Sequence, residues 1–239
     1  MPAETVQKAK RARVRTKKLY STGVAHPSVF SDSILPVLAS VLDESHQLIL
    51  DPFAGVGKIH RLSDEVSWPI RTVGVEIEPE WALNESETVV GNALSLPFKN
   101  NTFDAVVTSP TYGNRMADSH RARDGSVRRS YTHDLGRQLN PSNSGAMQWG
   151  DSYRSFHRRA WDESLRVLRP GGRLVLNISD HIRKHKRQYV TSWHTEYLLD
   201  VGLFLVSASS IRTARHREGA NSSSRIDGEA VLAFEKRPT

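Results

Sequence analysis

The chain has 239 residues and a formal net charge of +7, a length that suits one α/β domain with tails and a sizeable core. It contains no cysteine, which excludes disulfide bonds and zinc sites with cysteine ligands, and its ten histidines show no spacing typical of a metal site. No apolar run approaches the roughly 20 residues of a membrane-spanning helix, and no apolar segment follows the basic N-terminus as in a secretory signal. We therefore expect a cytoplasmic protein that binds no metal and no membrane.

Most of the positive charge lies at the N-terminus. Residues 1–20 contain seven lysine and arginine residues and one glutamate, hence a net charge of +6, so all other residues together carry +1. A basic tail on a near-neutral domain is typical of sequence-independent attraction to phosphates, but the same composition also suits a merely solvated tail. We predict a basic, disordered tail over 1–22 and a folded domain over 23–239.

The first predicted element of the domain is a helix whose apolar residues run from Ile34 to Leu42. Ser31, Asp32 or Ser33 can cap its N-terminus, because each offers a side-chain oxygen to the free N–H groups of the first turn. A proline falls in that first turn, where its missing N–H costs little.

The segment 48–58, LILDPFAGVGK, predicts a buried parallel strand followed by a turn into a helix. The strand ends at Asp51, and Gly55 and Gly57 allow backbone angles and a close ligand approach that a side chain would prevent. In doubly wound α/β folds, ligands bind at this carboxyl edge of the sheet. By itself, however, the pattern also fits an ordinary strand–loop–helix turn.

A second strand, Arg71–Ile77, ends at Glu76 about twenty residues further on, where an acid can hydrogen-bond the hydroxyls of a ribose. The glycine turn is neither a full GxGxxG nor a GxxxxGK[ST] motif, which disfavours dinucleotide and nucleoside triphosphate sites. The two segments together therefore predict a nucleoside ligand without a pyrophosphate.

DPFAGVGK followed by GVEIEPEW resembles the first two motifs of class I S-adenosylmethionine-dependent methyltransferases, and VVGNA at 89–93 resembles their third. AHPSVF, ahead of the first helix, is similar to the HPAxFP element of many DNA amino-methyltransferases. The resemblance implies S-adenosylmethionine as cofactor, with Glu76 on its ribose and Asn92, where Asp is commoner, at its adenine. The residues it assigns to the cofactor are Asp51, Phe53, Gly55, Gly57, Glu76, Ile77, Asn92 and Ala93.

A fourth buried strand, Ala105–Thr108, ends in the sequence SPTYG. This resembles the (D/N/S)PP(Y/F) motif of methyltransferases that act on exocyclic amino groups. The resemblance implies that the Ser109 hydroxyl and the Pro110 carbonyl accept hydrogen bonds from the amine, and that Tyr112 stacks on a flipped or single-stranded base. Such a transfer mainly needs positioning and no covalent nucleophile. Thr111 stands in place of the second proline, and we expect this replacement to loosen the turn. A non-catalytic site is therefore an alternative.

Residues 113–150 form a long connection with more arginine than acid, interleaved with Tyr131 and Trp149. A structureless loop of this length is usually functional or disordered, and we predict a basic loop insertion that grips the substrate backbone. A solvated mobile loop is the alternative. The residues predicted to contact nucleic acid here and in later loops are Arg115, Arg121, Arg128, Arg129, Lys184 and Arg215.

A helix capped by Asp151, a fifth strand at Arg173–Ile178 and a helix at Thr191–Leu199 follow. An antiparallel pair, Leu203–Ser207 and Ala230–Phe234, completes the pattern, and RVLRPGGRLVL resembles the corresponding family segment. The predicted fold is α/β: a three-layer α-β-α sandwich around a seven-stranded, mostly parallel, Rossmann-like methyltransferase sheet.

The leading functional hypothesis is a DNA methyltransferase acting on an exocyclic amino group, with cytosine N4 favoured over adenine N6 because serine precedes the proline. The alternatives are an RNA enzyme of the transfer-RNA guanine-N2 type and a catalytically degenerate module that binds the cofactor or nucleic acid. The expected partner is nucleic acid, DNA more than RNA. Neither the oligomeric state nor a partner subunit follows from the sequence.

Overall fold

The computed structural model of the chain describes residues 23–114, 130–213 and 226–238. Its main sheet has seven strands in the order β3-β2-β1-β4-β5-β9-β8, and two short strands, β6 and β7, form a hairpin. The strands are β1 Leu48–Asp51, β2 Arg71–Glu76, β3 Thr88–Val90, β4 Phe103–Thr108, β5 Leu168–Ile178, β6 His181–Arg183, β7 Lys186–Gln188, β8 Leu203–Arg212 and β9 Gly228–Lys236.

The helices lie between the strands in the alternating order of an α/β fold. The α-helices are α1 Leu35–Ser40, α2 Pro79–Ala82, α3 Tyr131–Leu135, α4 Asp151–Val167 and α5 Val190–Asp200. Shorter 3₁₀ turns cover Asp32–Ile34, Lys58–Asp64 and Ser144–Ala146. Among the described residues, no helix is both long and apolar enough to cross a membrane.

The strands β1 to β5 run parallel, whereas β9 pairs antiparallel with β5 and with β8. Alternate residues of a strand point to opposite faces of the sheet, and both faces of the central strands are buried. On β4, for example, Val106 packs with α4 through Trp161, while Val107 packs with α1 through Leu38. The predicted three-layer fold and seven-stranded sheet are therefore confirmed.

Several element boundaries differ from the prediction. The strand β5 begins at Leu168, because the RPGG turn bulges out and the chain resumes pairing with β4 at Arg173. The strands β8 and β9 are longer than predicted, since they stay paired with each other as far as Arg212 and Gly228. The cap predicted at Asp151 is wrong: Gly150 precedes the helix and makes no side-chain cap.

The segment predicted to lack secondary structure, 113–150, contains the helix α3 and a 3₁₀ turn in its described part. Ser130 caps α3 by accepting a hydrogen bond from the backbone N–H of His133. Since parallel strands present their carboxyl ends at one edge, Asp51, Glu76 and Ser109 all lie at the same edge of the sheet as this segment.

Candidate active site

Asp51 closes the strand β1 and connects it to β4. Its Oδ1 accepts hydrogen bonds from the backbone N–H of Phe53 at 2.9 Å and from the hydroxyl of Thr108 at 2.6 Å. The side chain is buried, and this loss of solvation raises the pKa of Asp51 to about 6. Because Thr108 directly precedes Ser109, Asp51 lies beside the start of the SPTYG turn.

Glu76 closes the strand β2 and holds the glycine turn. One carboxylate oxygen accepts a hydrogen bond from Gly55 N and the other from Glu78 N, both at 2.9 Å. Burial, together with the nearby charge of Glu78, raises the pKa of Glu76 to about 7. A carboxylate has about four acceptor sites, and these donors, with the backbone of Ile77 as a third, leave part of that capacity for a ribose.

The turn between β1 and the following 3₁₀ helix requires glycine at two positions. Gly55 and Gly57 have φ values of +54° and +76°, in the left-handed region. A Cβ at Gly57 would also lie 2.5 Å from Cγ of Glu85. Glycine is therefore required here by the backbone angles and, at Gly57, by the close packing of Glu85.

His26, from the AHPSVF segment, packs against this turn and was missed as a site residue. Its ring contacts Trp81 and Tyr131 at centroid distances of 4.5 and 5.3 Å. The Ser28 N–H donates to Nδ1 at 3.3 Å, which leaves the hydrogen on Nε2, the atom nearest to Gly55. Burial lowers the pKa of His26 to about 4, so the ring is neutral. The HP dipeptide was the sequence signal for this position.

An apolar cluster follows Asn92 at the end of β3. Ala93 is buried against Phe156 and Ala160 of α4, with Phe53 packed at its border. The Asn92 Oδ1 accepts a hydrogen bond from Leu94 N at 2.9 Å, which fixes the orientation of its amide. Ile77 follows Glu76 directly and is partly buried. The residues assigned to the cofactor therefore line one continuous edge.

Ser109 and Tyr112 join a polar cluster with two residues that the sequence did not indicate. Their hydroxyl oxygens lie 3.1 Å apart, and Asn177 Nδ2 donates to Ser109 Oγ at 3.1 Å. Glu229 Oε2 accepts from Asn177 Nδ2 at 2.7 Å and from Tyr112 Oη at 3.2 Å. Asn177 was within a predicted strand, and Glu229 just outside one, so their relation to the turn was not visible.

Thr111 is held by two hydrogen bonds. Its hydroxyl donates to Ser144 Oγ at 2.8 Å, and its carbonyl accepts from Tyr153 Oη at 2.7 Å. Pro110, the residue before it, is buried. The turn is thus fixed by side-chain contacts where the related motif has a second proline ring.

A buried chain of side chains supports the Thr111 carbonyl. Trp161 can only donate, and its Nε1–H donates to His194 Nδ1 at 3.0 Å. The ring hydrogen of His194 therefore sits on Nε2 and is donated to Tyr153 Oη, also at 3.0 Å. Burial holds the pKa of His194 well below its usual value, so this neutral form persists.

The segment 130–150 packs against the residues that follow β2 and against His26. Arg137 forms ion pairs with the fully buried Glu78 at 2.8 Å and with Glu80 at 2.6 Å. Asn143 Nδ2 also donates to Glu78, and Tyr131 is buried beside His26. The described part of the insertion therefore covers the carboxyl end of β2.

Of the residues predicted to contact nucleic acid, the structure describes Lys184. It is exposed at the tip of the β6–β7 hairpin, with a φ of +49°. Arg115, Arg121, Arg128, Arg129 and Arg215 lie outside the described residues, as does the tail predicted over 1–22. Over residues 23–114, 130–213 and 226–238, no three or more His, Asp or Glu side chains are grouped to hold a metal ion.

No protein-family model and no curated protein matches the sequence. Solved structures do match. A SAM-dependent methyltransferase from Methanosarcina mazei has 16% identity and a TM-score of 0.55, over 85% of this chain and 98% of that one. The N-methyltransferase NodS from Bradyrhizobium japonicum, in complex with S-adenosyl-L-homocysteine, has 13% identity and a TM-score of 0.50, over 87% and 85%.

The [4+2]-cyclase SpnF has 16% identity and a TM-score of 0.55, over 87% of this chain and 82% of that one. A cyclase shares the fold with the methyltransferases, and none of the three proteins is described as acting on DNA, so the fold does not identify a substrate. At these identities, what the likeness establishes is that the chain has the fold of class I S-adenosylmethionine-dependent methyltransferases.

Proposed function

We propose that the protein is an S-adenosylmethionine-dependent methyltransferase that modifies an exocyclic amino group of a nucleic-acid base, with cytosine N4 in DNA as the favoured target. The observation that carries the proposal is the position of the SPTYG turn. The contact between Asp51 and Thr108 links the end of β1, where the cofactor is expected, to the residue before Ser109.

The described residues fit the cofactor. Glu76 keeps acceptor sites for the ribose hydroxyls, and the buried Asp51 can face a cationic group. The apolar residues beside Asn92 suit contact with adenine, and the bound S-adenosyl-L-homocysteine of a fold relative supports this choice of ligand. When bound, S-adenosylmethionine supplies an electrophilic methyl carbon on a cationic sulfur.

The chain's own contribution is to position the amine. The lone pair of an aromatic amine is delocalised into its ring, so the nitrogen is a weak nucleophile. Hydrogen bonds from the amine to Ser109 Oγ and to the Pro110 carbonyl would aim that lone pair at the methyl carbon. The contacts of Thr111 keep these acceptors in place, which argues against a degenerate site.

A base must leave its stack to reach this turn, and Tyr112 offers an aromatic surface for it. Affinity for the rest of the polymer would come from phosphate contacts by the basic tail and the arginines of 115–129. Phosphate contacts do not distinguish DNA from RNA, so an RNA substrate is the competing outcome.

The test is transfer of a tritiated methyl group to duplex DNA, single-stranded DNA and bulk RNA, followed by mass spectrometry of the nucleosides. We expect N4-methylcytosine from DNA, and loss of most activity in Ser109→Ala. Ser40→Ala, an exposed serine on α1, is the matched control and should keep full activity. Methylated guanosine from RNA would replace DNA by RNA as substrate. Cofactor binding without transfer to any polymer would contradict the proposal.

A further inference from the structure

Glu229 lies at the end of a hydrogen-bonded chain that begins in the SPTYG turn. It sits near the start of β9, opposite Ile211 of β8, and more than a hundred residues from Tyr112 in sequence. Its Oε2 nevertheless accepts hydrogen bonds from both Tyr112 Oη and Asn177 Nδ2. The carboxylate is therefore in direct contact with Tyr112, whose hydroxyl in turn contacts Ser109.

The chemistry of the partners determines the direction of the chain. An ionised glutamate only accepts, so Tyr112 gives its single hydroxyl hydrogen to Glu229. The Tyr112 oxygen is then an acceptor for the Ser109 hydroxyl, 3.1 Å away. The Asn177 amide nitrogen is only a donor here, to Ser109 Oγ, to Glu229 and, at 3.4 Å, to Tyr112 Oη, so it does not interrupt this path. The hydrogens thus point from Ser109 through Tyr112 to Glu229.

The far end of the chain opens toward solvent. Glu229 lines a groove of about 730 Å³ between the ends of β5, β8 and β9. Charged residues around the same groove are Asp180, Arg187, Arg212 and Asp227. Arg187 pairs with the buried Asp180 at 2.8 Å, whereas Glu229 accepts a hydrogen bond from Tyr112 of the turn.

We propose that Glu229 is the proton acceptor of the reaction, reached from the amine through Ser109 and Tyr112. This inference rests on the proposed function, since it concerns the fate of the proton that methylation releases. In the transfer, the amine nitrogen bonds to the methyl carbon while the carbon–sulfur bond breaks and its electron pair stays on sulfur. The nitrogen then carries one hydrogen too many for a neutral product.

That hydrogen passes to Ser109 Oγ, the Ser109 hydrogen passes to Tyr112 Oη, and the Tyr112 hydrogen passes to Glu229 Oε2. Each hydroxyl loses one hydrogen and gains one, so the net change is one proton moved from nitrogen to carboxylate. Water in the groove removes it from Glu229 before the next turnover. The same chain keeps Ser109 in its acceptor role while the amine binds.

Three variants distinguish the relay from a purely structural role of Glu229 as an anchor for Asn177. Glu229→Gln keeps a side chain of the same size and an oxygen that can accept from Asn177, but it cannot take up a proton. Tyr112→Phe keeps the aromatic surface and removes the relay hydroxyl. Glu235→Gln, on the same strand and paired with Arg173, changes charge equally and lies outside the chain.

The experiment measures single-turnover rates of methyl transfer at saturating cofactor over a range of pH, with cofactor affinity measured by calorimetry at each pH. The raised pKa values of Asp51 and Glu76, about 6 and about 7, can affect cofactor binding over this pH range. The calorimetry separates that effect from the rate. Tyr112 and the four charged groups of the groove stay unchanged in Glu229→Gln and Glu235→Gln, which makes these two profiles directly comparable.

We expect Glu229→Gln and Tyr112→Phe each to lower the rate about 100-fold or more, within the range of general acid–base effects. The fall in rate at low pH should disappear in Glu229→Gln. Cofactor affinity and melting temperature should stay close to those of the unmodified chain, and Glu235→Gln should behave like it throughout.

An unchanged rate and pH profile in Glu229→Gln would overturn the relay while leaving the methyltransferase proposal intact. A lower rate with the original pH profile would assign Glu229 to positioning alone and would also overturn it. Absence of methyl transfer by the unmodified chain would refute both proposals.

Discussion

The two halves of the candidate site are built differently. In the cofactor half, at the ends of β1 and β2, carboxylates accept hydrogen bonds from backbone N–H groups, as Glu76 does from Gly55 and Glu78. In the substrate half, at the ends of β4, β5 and β9, side chains bind side chains from distant segments, as Tyr112 does with Glu229. The residues of the proposed cofactor half thus lie between Asp51 and Ala93, whereas those of the substrate half come from segments as far apart as Tyr112 and Glu229.

The two halves also differ in the burial of their carboxyl groups. The carboxyl groups of the cofactor half are buried. Burial disfavours their ionised forms and so costs stability. The cluster of the substrate half is partly buried, next to a groove, and its carboxylate accepts hydrogen bonds from Tyr112 and Asn177. Substitutions in the two halves should therefore change different properties: cofactor affinity in the first and transfer rate in the second.

The largest effect is expected from Glu76→Ala, which removes the acceptor proposed for two ribose hydroxyls. Hydrogen bonds to a charged group are each worth about 1.5–3 kcal/mol, so cofactor affinity should fall about 100-fold or more. Calorimetry measures it, with the exposed Glu65→Ala as control. Undiminished affinity would show that the cofactor half does not use this carboxylate.

The next effect is a pH dependence of stability. Burial raises the pKa of Asp51 to about 6, so the folded state holds a proton that the unfolded state releases. The protonated Asp51 carboxyl group therefore contributes fully to the free energy of unfolding below its pKa in the unfolded state. This contribution disappears as pH rises through its pKa in the folded state. Asp51→Asn does not titrate, and its stability relative to the unmodified chain should increase from acid to neutral pH by about 3 kcal/mol.

Denaturant unfolding without cofactor at about pH 4 and about pH 8 measures this difference, since changes common to both proteins cancel. Asn keeps the Oδ1 acceptor for Phe53 N and the Thr108 hydroxyl. Cofactor should bind the unmodified chain more tightly as pH rises, because Asp51 and Glu76 then ionise. A stability difference independent of pH would contradict the burial argument.

A smaller effect is expected from Tyr153→Phe in the support of the substrate half. It leaves the Thr111 carbonyl and the His194 Nε2–H buried without their partner, at a cost of about 1–3 kcal/mol. The transfer rate should fall while cofactor affinity stays the same, because the two halves use separate contacts. Tyr197→Phe, whose hydroxyl binds the exposed Asp162, is the control for removal of a tyrosine hydroxyl.

The smallest effect per residue is expected from removal of residues 1–20. For each phosphate that the tail neutralises, its deletion should flatten the log–log salt dependence of duplex binding by about 0.9, and affinity should fall equally for all sequences. Binding isotherms at several salt concentrations measure the slope. An unchanged slope would mean that the tail is only solvated, and that other groups hold the polymer.

The sequence alone predicted the seven strands of the main sheet and the residues at the ends of β1 and β2. Asp51, the glycine turn and Glu76 belong to strand ends and turns that local rules describe, since apolar runs predict buried strands and glycine allows a positive φ. The resemblance to a known family then supplied Ser109 and Tyr112, because that motif too is contiguous. The short helix α3 within 130–150 was missed, since its stability comes from contacts with Trp81 and His26.

Only the tertiary structure decided what surrounds the SPTYG turn. The sequence placed Arg137 and Tyr131 in a loop for nucleic acid, yet Arg137 neutralises the buried Glu78 and Tyr131 packs into an aromatic cluster. Asn177 and Glu229 carry no local signal, because they reach Ser109 and Tyr112 only once β5 pairs with β4 and β9 pairs with β5. Periodicity and spacing describe neighbours along the chain, whereas a hydrogen bond between side chains depends on which strands become neighbours in space.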